Sequence, residues 1–187
     1  MNVGGSIRAT IQEHWVPALL VALTWILLFK INTWLFASIE VNSHISLVFL
    51  PAFLRMVAAM VWRWSGVAGL FMGGLFTSSI WTGGSVVHAS ALAALSALGP
   101  LLAVTFCTKW LGLDARLDGL KGRHVLQFAA TGALVNTLLH NLYFYTSGMQ
   151  SSLMDGVLPM LIGDLLGTVV VLFGLSSALK VVSSRKR

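Results

Sequence analysis

Arg55 and Asp164 are the residues of this sequence best placed to do chemistry. Each is charged, and each stands in an apolar run: Phe53-Leu54-Arg55-Met56-Val57 and Ile162-Gly163-Asp164-Leu165-Leu166. A charge in such a segment is costly, and it faces the protein interior, a counter-charge or a ligand pathway. Arg55 lies about ten residues from one end of its segment, and Asp164 about nine from the end of its own. At a rise of ~1.5 Å per residue these depths match. The two are therefore expected to pair across a helix contact, as a structural ion pair or as part of a ligand site, the remaining alternative being no direct contact. Pairing implies that replacing Arg55 alone strands Asp164, and that reversing both charges restores part of the loss. Asn136 and His140, four apart, share one helical face near the same level. Asn141, Lys30 and His88 add polar groups nearby, although Lys30 can snorkel to the headgroups instead. Arg55, Asp164, Asn136 and His140 are the candidate ligand-binding residues of an outward-facing polar cavity.

No catalytic constellation accompanies them. The sequence has no H-E-x-x-H, no G-x-S-x-G and no phosphate-cradling P-loop. His14, His44, His88, His124 and His140 include no closely spaced metal-ligand pair. Asp155 and Asp164, nine apart on one segment, are not spaced as an acid/base pair. Cys107 is the single cysteine, so an intrachain disulfide is excluded, and its apolar setting makes it a packing residue. A non-enzymatic protein without metal or cofactor is expected.

The elements that position these residues must live in lipid. Of 187 residues, 57% are hydrophobic and only 10% charged, against about 25% charged in soluble domains. The mean hydropathy is +0.85. An all-α polytopic helical bundle follows, as one domain over 1–187, with six transmembrane helices at about 15–36, 45–62, 66–80, 86–110, 124–145 and 156–182. The run from Trp15 is read as a retained first helix rather than a signal peptide. The length leaves no room for a soluble output domain. Arg63-Trp64-Ser65 is the whole spacing between the second and third helices, which makes them a tight hairpin. The Gly/Ser/Thr patch ending the third helix reads as a turn, or as a partly unwound re-entrant stretch. Gly69/Gly73 and Gly163/Gly167 are small-xxx-small pairs suited to helix packing. Pro51 and Pro159 are expected to kink their helices.

Charge sets the orientation. With both termini cytoplasmic, Arg8, Arg63, Lys109, Arg116, Lys121, Arg123, Lys180, Arg185, Lys186 and Arg187 all lie inside, and the outer loops hold no Lys or Arg. The expected location is the bacterial inner membrane. The net charge of +6 and the pI of about 10.1 are accounted for by orientation and by contact with membrane lipid. No nucleic acid partner is expected. Trp15, Trp34, Trp62, Trp64, Trp81, Trp110, Tyr143 and Tyr145 fall near the expected helix ends, where amphipathic rings sit.

The run Phe49-Leu50-Pro51-Ala52-Phe53-Leu54-Arg55, continuing through Trp62-Arg63-Trp64-Ser65-Gly66 to Gly69, Gly73 and Gly74, resembles the opening of the membrane-associated sensor (MASE) family. Ile162-Gly163-Asp164-Leu165-Leu166-Gly167 looks like that family's Gly-Asp helix, and the basic connector 112–123 falls where the family has one. The resemblance implies a sensory membrane module. Arg55, the short length and the lack of an output domain depart from the pattern, so signalling would pass through a separate membrane protein partner. The chain is also similar in size and helix number to substrate-binding subunits of energy-coupling-factor transporters, which implies vitamin or metal uptake. Three readings follow: a sensor-like protein binding a small-molecule ligand or a partner helix, a transporter subunit, and a structural subunit of a larger membrane complex.

Overall fold

Pro51 has no N–H to give to a preceding turn and a φ already set for helix, which suits the first helical position. The second helix begins there. The computed structural model describes residues 11–42, 45–81, 83–113 and 122–184. Arg8, His44, positions 114–121 of the basic connector and the terminal Arg185-Lys186-Arg187 lie outside the described residues.

A π-helical turn, Ile11–Trp15, leads into α1 (Val16–Phe36), which closes through a 3-10 turn, Ala37–Ile39. A short antiparallel ribbon follows, β1 (Glu40–Asn42) with β2 (Ile45–Ser46). Then come α2 (Pro51–Val61), α3 (Arg63–Trp81), α4 (Val86–Trp110), α5 (Gly122–Thr146) and α6 (Val157–Ser184). The architecture is an all-helical bundle. Three helical stretches, Gln12–Ile39, Val86–Trp110 and Val157–Gly174, are long and apolar enough to cross a membrane. The lipid-compatible face is plain on α1, where Leu19, Leu20, Leu23 and Leu27 are each more than half exposed. Trp15, Trp34, Trp64, Trp110 and Tyr145 are exposed near helix ends, whereas Trp25 is buried in mid-helix.

The segment 45–50 corrects the expected helix over 45–62. It is not helical: two residues form β2, and the rest runs as bend, irregular chain and turn into Pro51. The Ser46 hydroxyl donates to the Val48 carbonyl at 2.8 Å and accepts the Val48 N–H at 3.4 Å, so a local turn competes with helix. The Phe49 N–H donates to the Gly163 carbonyl at 2.9 Å, and the Leu50 N–H to Asn32 Oδ1 at 2.8 Å. Gly163 is six residues into α6, or ~9 Å below its start. The chain is therefore non-helical well inside the bundle, with the Phe49 and Leu50 N–H groups satisfied by α6 and α1. Pro51 starts a helix instead of kinking one, and Pro159 stands in the first turn of α6.

Glycines set the close approaches. Gly69 and Gly73 press α3 onto Ala18, Val21 and Trp25 of α1, as a packing pair should. Gly163 and Gly167 do not face a helix. A Cβ at either would strike the carbonyl oxygens of Ser46 and Phe49, so this pair seats the non-helical segment. At the opposite end Arg63 takes a left-handed φ of 46°, and Gly66 lies against the Ala58 carbonyl, so α3 folds back on α2 at once. Gly83 and Gly84 take φ of 59° and 85°, and Ser85 caps α4 by accepting the His88 N–H. Of the Gly/Ser/Thr patch, Thr77, Ser78 and Ser79 belong to α3 and Gly83-Gly84 form a turn.

The core follows this layout. Val21, Trp25, Leu54, Ala58, Val67, Leu70 and Ala97 bring α1 to α4 together. Met56, Ala59, Ala103, Val104, Cys107 and Phe128 fill the half beyond it, and Cys107 is buried among them. Replacing Gly167 by Ala should lower thermal stability in detergent by about 1–3 kcal/mol. Gly174→Ala, which meets nothing, should leave the melting temperature unchanged or slightly raised. Equal melting curves for the two variants would refute the assigned role of Gly167.

Candidate functional site

Starting α2 at Pro51 places Arg55 in its second turn, opposite the eighth residue of α6, Asp164. Arg55 Nη2 donates to Asp164 Oδ1 at 3.0 Å and Nη1 to Oδ2 at 3.3 Å, with both side chains buried. Asn136 Nδ2 donates to the same Oδ2 at 2.7 Å. The carboxylate thus receives three N–H donors, the condition under which a buried charge is tolerable. Thr168 Oγ1 donates to the Asp164 carbonyl at 2.8 Å, one turn along α6.

Aromatic rings close the guanidinium in. Its carbon lies 4.9 Å from the Phe49 ring centroid and 5.8 Å from that of Trp25, within cation–π range. Those two rings meet edge to face at 6.1 Å. Trp25 is held by its Nε1–H, which donates to Thr77 Oγ1 at 3.0 Å. The Thr77 hydroxyl lies 3.1 Å from the Gly73 carbonyl and 3.2 Å from that of Gly74. Phe49 is set by the non-helical segment. Arg55 is therefore held by the carboxylate from α6, one ring from α1 and one ring from the segment leading to its own helix.

His140 stands one turn beyond Asn136. Its Nδ1 lies 3.0 Å from the Asn136 carbonyl, and its Nε2 lies 3.2 Å from Ser96 Oγ. The Nδ1–H tautomer satisfies both, with the serine hydroxyl donating. These groups surround a cavity of about 50 Å³, closed also by Phe29, Ile45, Ser46, Thr77, Ser78, Leu92, Phe144 and Met160. That volume holds a few waters or a ligand of a few heavy atoms. The cavity lies at the end of the bundle where the α1–α2, α3–α4 and α5–α6 connections gather, as the packing of Ile45, Leu92, Phe144 and Met160 shows. Non-helical backbone at membrane depth is tolerated where it is buried in protein or lines a cavity, and the segment 45–50 does both.

Chemically the site is polar but electrically balanced, because Arg55 and Asp164 cancel. Among the described residues, Arg55 Nε and Asn136 Oδ1 are buried without a hydrogen-bond partner, which leaves one donor and one acceptor beside the carboxylate.

The four candidate residues Arg55, Asp164, Asn136 and His140 are brought together on this cavity. Three neighbours are not. Asn141 donates to the Thr137 carbonyl at 2.9 Å and packs on Met160; His88 pairs with the Tyr143 hydroxyl at 2.7 Å; Lys30 is exposed on the outside of α1. Trp25, Phe49, Thr77 and Ser96 escaped the sequence reading. Trp25 had a signal, since a tryptophan in mid-helix is out of place in an interfacial belt. Ser96 lies four residues before Pro100, whose missing N–H frees the Ser96 carbonyl. No protein-family model matches the chain, and neither a curated protein nor a solved structure matches it.

Arg55→Met alone should destabilise the protein by about 3–5 kcal/mol, because Asp164 is left buried and uncompensated. Arg55→Met with Asp164→Leu should recover much of that loss. Full charge reversal should recover less, since it sets a carboxylate against the faces of Trp25 and Phe49. Additive single and double variants in thermal unfolding would disprove the coupling.

Proposed function

We propose that this chain is a non-enzymatic, six-span protein of the bacterial inner membrane, with both termini cytoplasmic, that binds a small polar ligand in an outward-facing cavity. In this reading it is sensor-like and acts through a separate membrane protein partner. The observation that carries it is the cavity itself, lined by the buried Arg55–Asp164–Asn136 cluster together with His140 and Ser96. A purely structural ion pair needs no such space beside it. The orientation rests on the positive-inside pattern. With the cavity among the connections opposite Arg63 and Lys109, the cation-rich end is inside and the cavity faces out. The six-span count rests on six helices in alternating direction, with α2 and the segment 45–50 together making one crossing. The likeness to the membrane-associated sensor family supports the sensory assignment over transport.

Two experiments test this. In a Cys107→Ser background, Ser38→Cys and Ser151→Cys should react with a membrane-impermeant maleimide on intact spheroplasts, and Leu111→Cys only after permeabilisation. The reverse pattern would overturn the orientation. Native mass spectrometry of protein released from its own membranes should show a small bound mass that disappears in Ser78→Leu, which fills the cavity. Bare protein in both cases would remove the ligand reading. Co-purification of a kinase or cyclase supports sensing. Paired ATPases with a coupling subunit would assign transport instead, and a fixed larger complex would assign a structural role.

A further inference from the structure

Lys30 is left unexplained by the cavity. It is exposed on α1, six residues before the helix ends at Phe36, which is ~9 Å below that end. Side chains on a helix lean toward its N-terminus, here away from the near membrane surface, so the ammonium has to double back to reach water. Among the described residues it has no carboxylate partner. It is also the sole exposed Lys or Arg among the described residues at the cavity end of the bundle.

Lys30, Thr33 and Trp34 share one face of α1 and border a groove of about 350 Å³ against Phe76 and Thr77 of α3. The groove is apolar below, where Ile26 and Phe29 wall it, and polar at the rim. Trp34 is 82% exposed there, with an indole N–H suited to an interfacial acceptor. An unpaired cation above an apolar slot fits an anion carried on a hydrocarbon chain.

We infer that the groove between α1 and α3 binds one anionic phospholipid from the adjacent leaflet, its headgroup phosphate on Lys30 and an acyl chain along Ile26 and Phe76. The groove backs onto the cavity through Phe29 and Thr77, which line both, but the proposed lipid contacts Lys30, Ile26 and Phe76 are not part of the cavity lining.

The test uses the full chain in mixed micelles with equal phosphatidylglycerol and phosphatidylcholine, read by native mass spectrometry. The wild type should retain phosphatidylglycerol about fivefold over phosphatidylcholine, the preference expected of one lysine near the surface. Lys30→Gln should bring that ratio close to one. Ile26→Trp, which fills the slot, should lower retention of both lipids. Inorganic phosphate should not compete, since it lacks the chain; competition by it would reduce the site to a phosphate contact and overturn the lipid assignment. Equal retention of the two lipids by the wild type, or an unchanged preference in Lys30→Gln, would also overturn it. Lys30 is exposed and Ile26 is partly buried against the core, so a melting temperature near that of the wild type checks that both variants fold.

Discussion

A carboxylate buried in an apolar bundle is admissible only if its charge is answered on the spot, and the cavity end of this protein is organised around answering Asp164. The guanidinium of Arg55 supplies two of its donors and Asn136 the third. The donors arrive from two helices, α2 and α5, and meet the carboxylate on a third, α6. That requirement fixes the mutual depth of α2, α5 and α6 more tightly than apolar packing does, since a slide of one turn would separate the partners by ~5 Å.

The same requirement explains the non-helical chain before α2. A continuous helix over 45–62 would present Gly163 and Gly167 with side chains instead of a peptide backbone. With the chain out of helix, the two glycines admit the Ser46 and Phe49 carbonyls, and the Phe49 ring lies on Arg55. Asn32 and Gly163 satisfy the backbone donors that a helix would have satisfied internally. Removing helix from this stretch is thus what makes room for the cavity and gives it one wall.

Much of this was legible in the sequence, and the rest failed for specific reasons. Arg55, Asp164, Asn136 and His140 were recoverable because charge inside an apolar run and i, i+4 spacing are local signals. The helix limits were recoverable where composition changes, as at Trp110. The non-helical segment was hidden because Ile45, Leu47, Val48, Phe49 and Leu50 are as apolar as any helix, and hydropathy does not separate strand from helix over six residues. Pro51 was the available signal, as a first-turn residue rather than a kink. Trp25, Phe49 and Ser96 were hidden because their roles come from contacts across the bundle, which no spacing encodes. The Gly163/Gly167 pair shows the limit of motif reading: its spacing announces a close approach, but not what approaches.

The ion pair joins residues 109 positions apart. A chain made at about 5–20 residues per second leaves Arg55 waiting roughly 5–20 s for Asp164 to be synthesised. During that interval α2, only 11 residues long, holds a cation without its counter-charge. The α2 segment is therefore incomplete until α6 is delivered. Assembly at this end of the bundle runs against the order of synthesis: a segment made early is sealed by one made late.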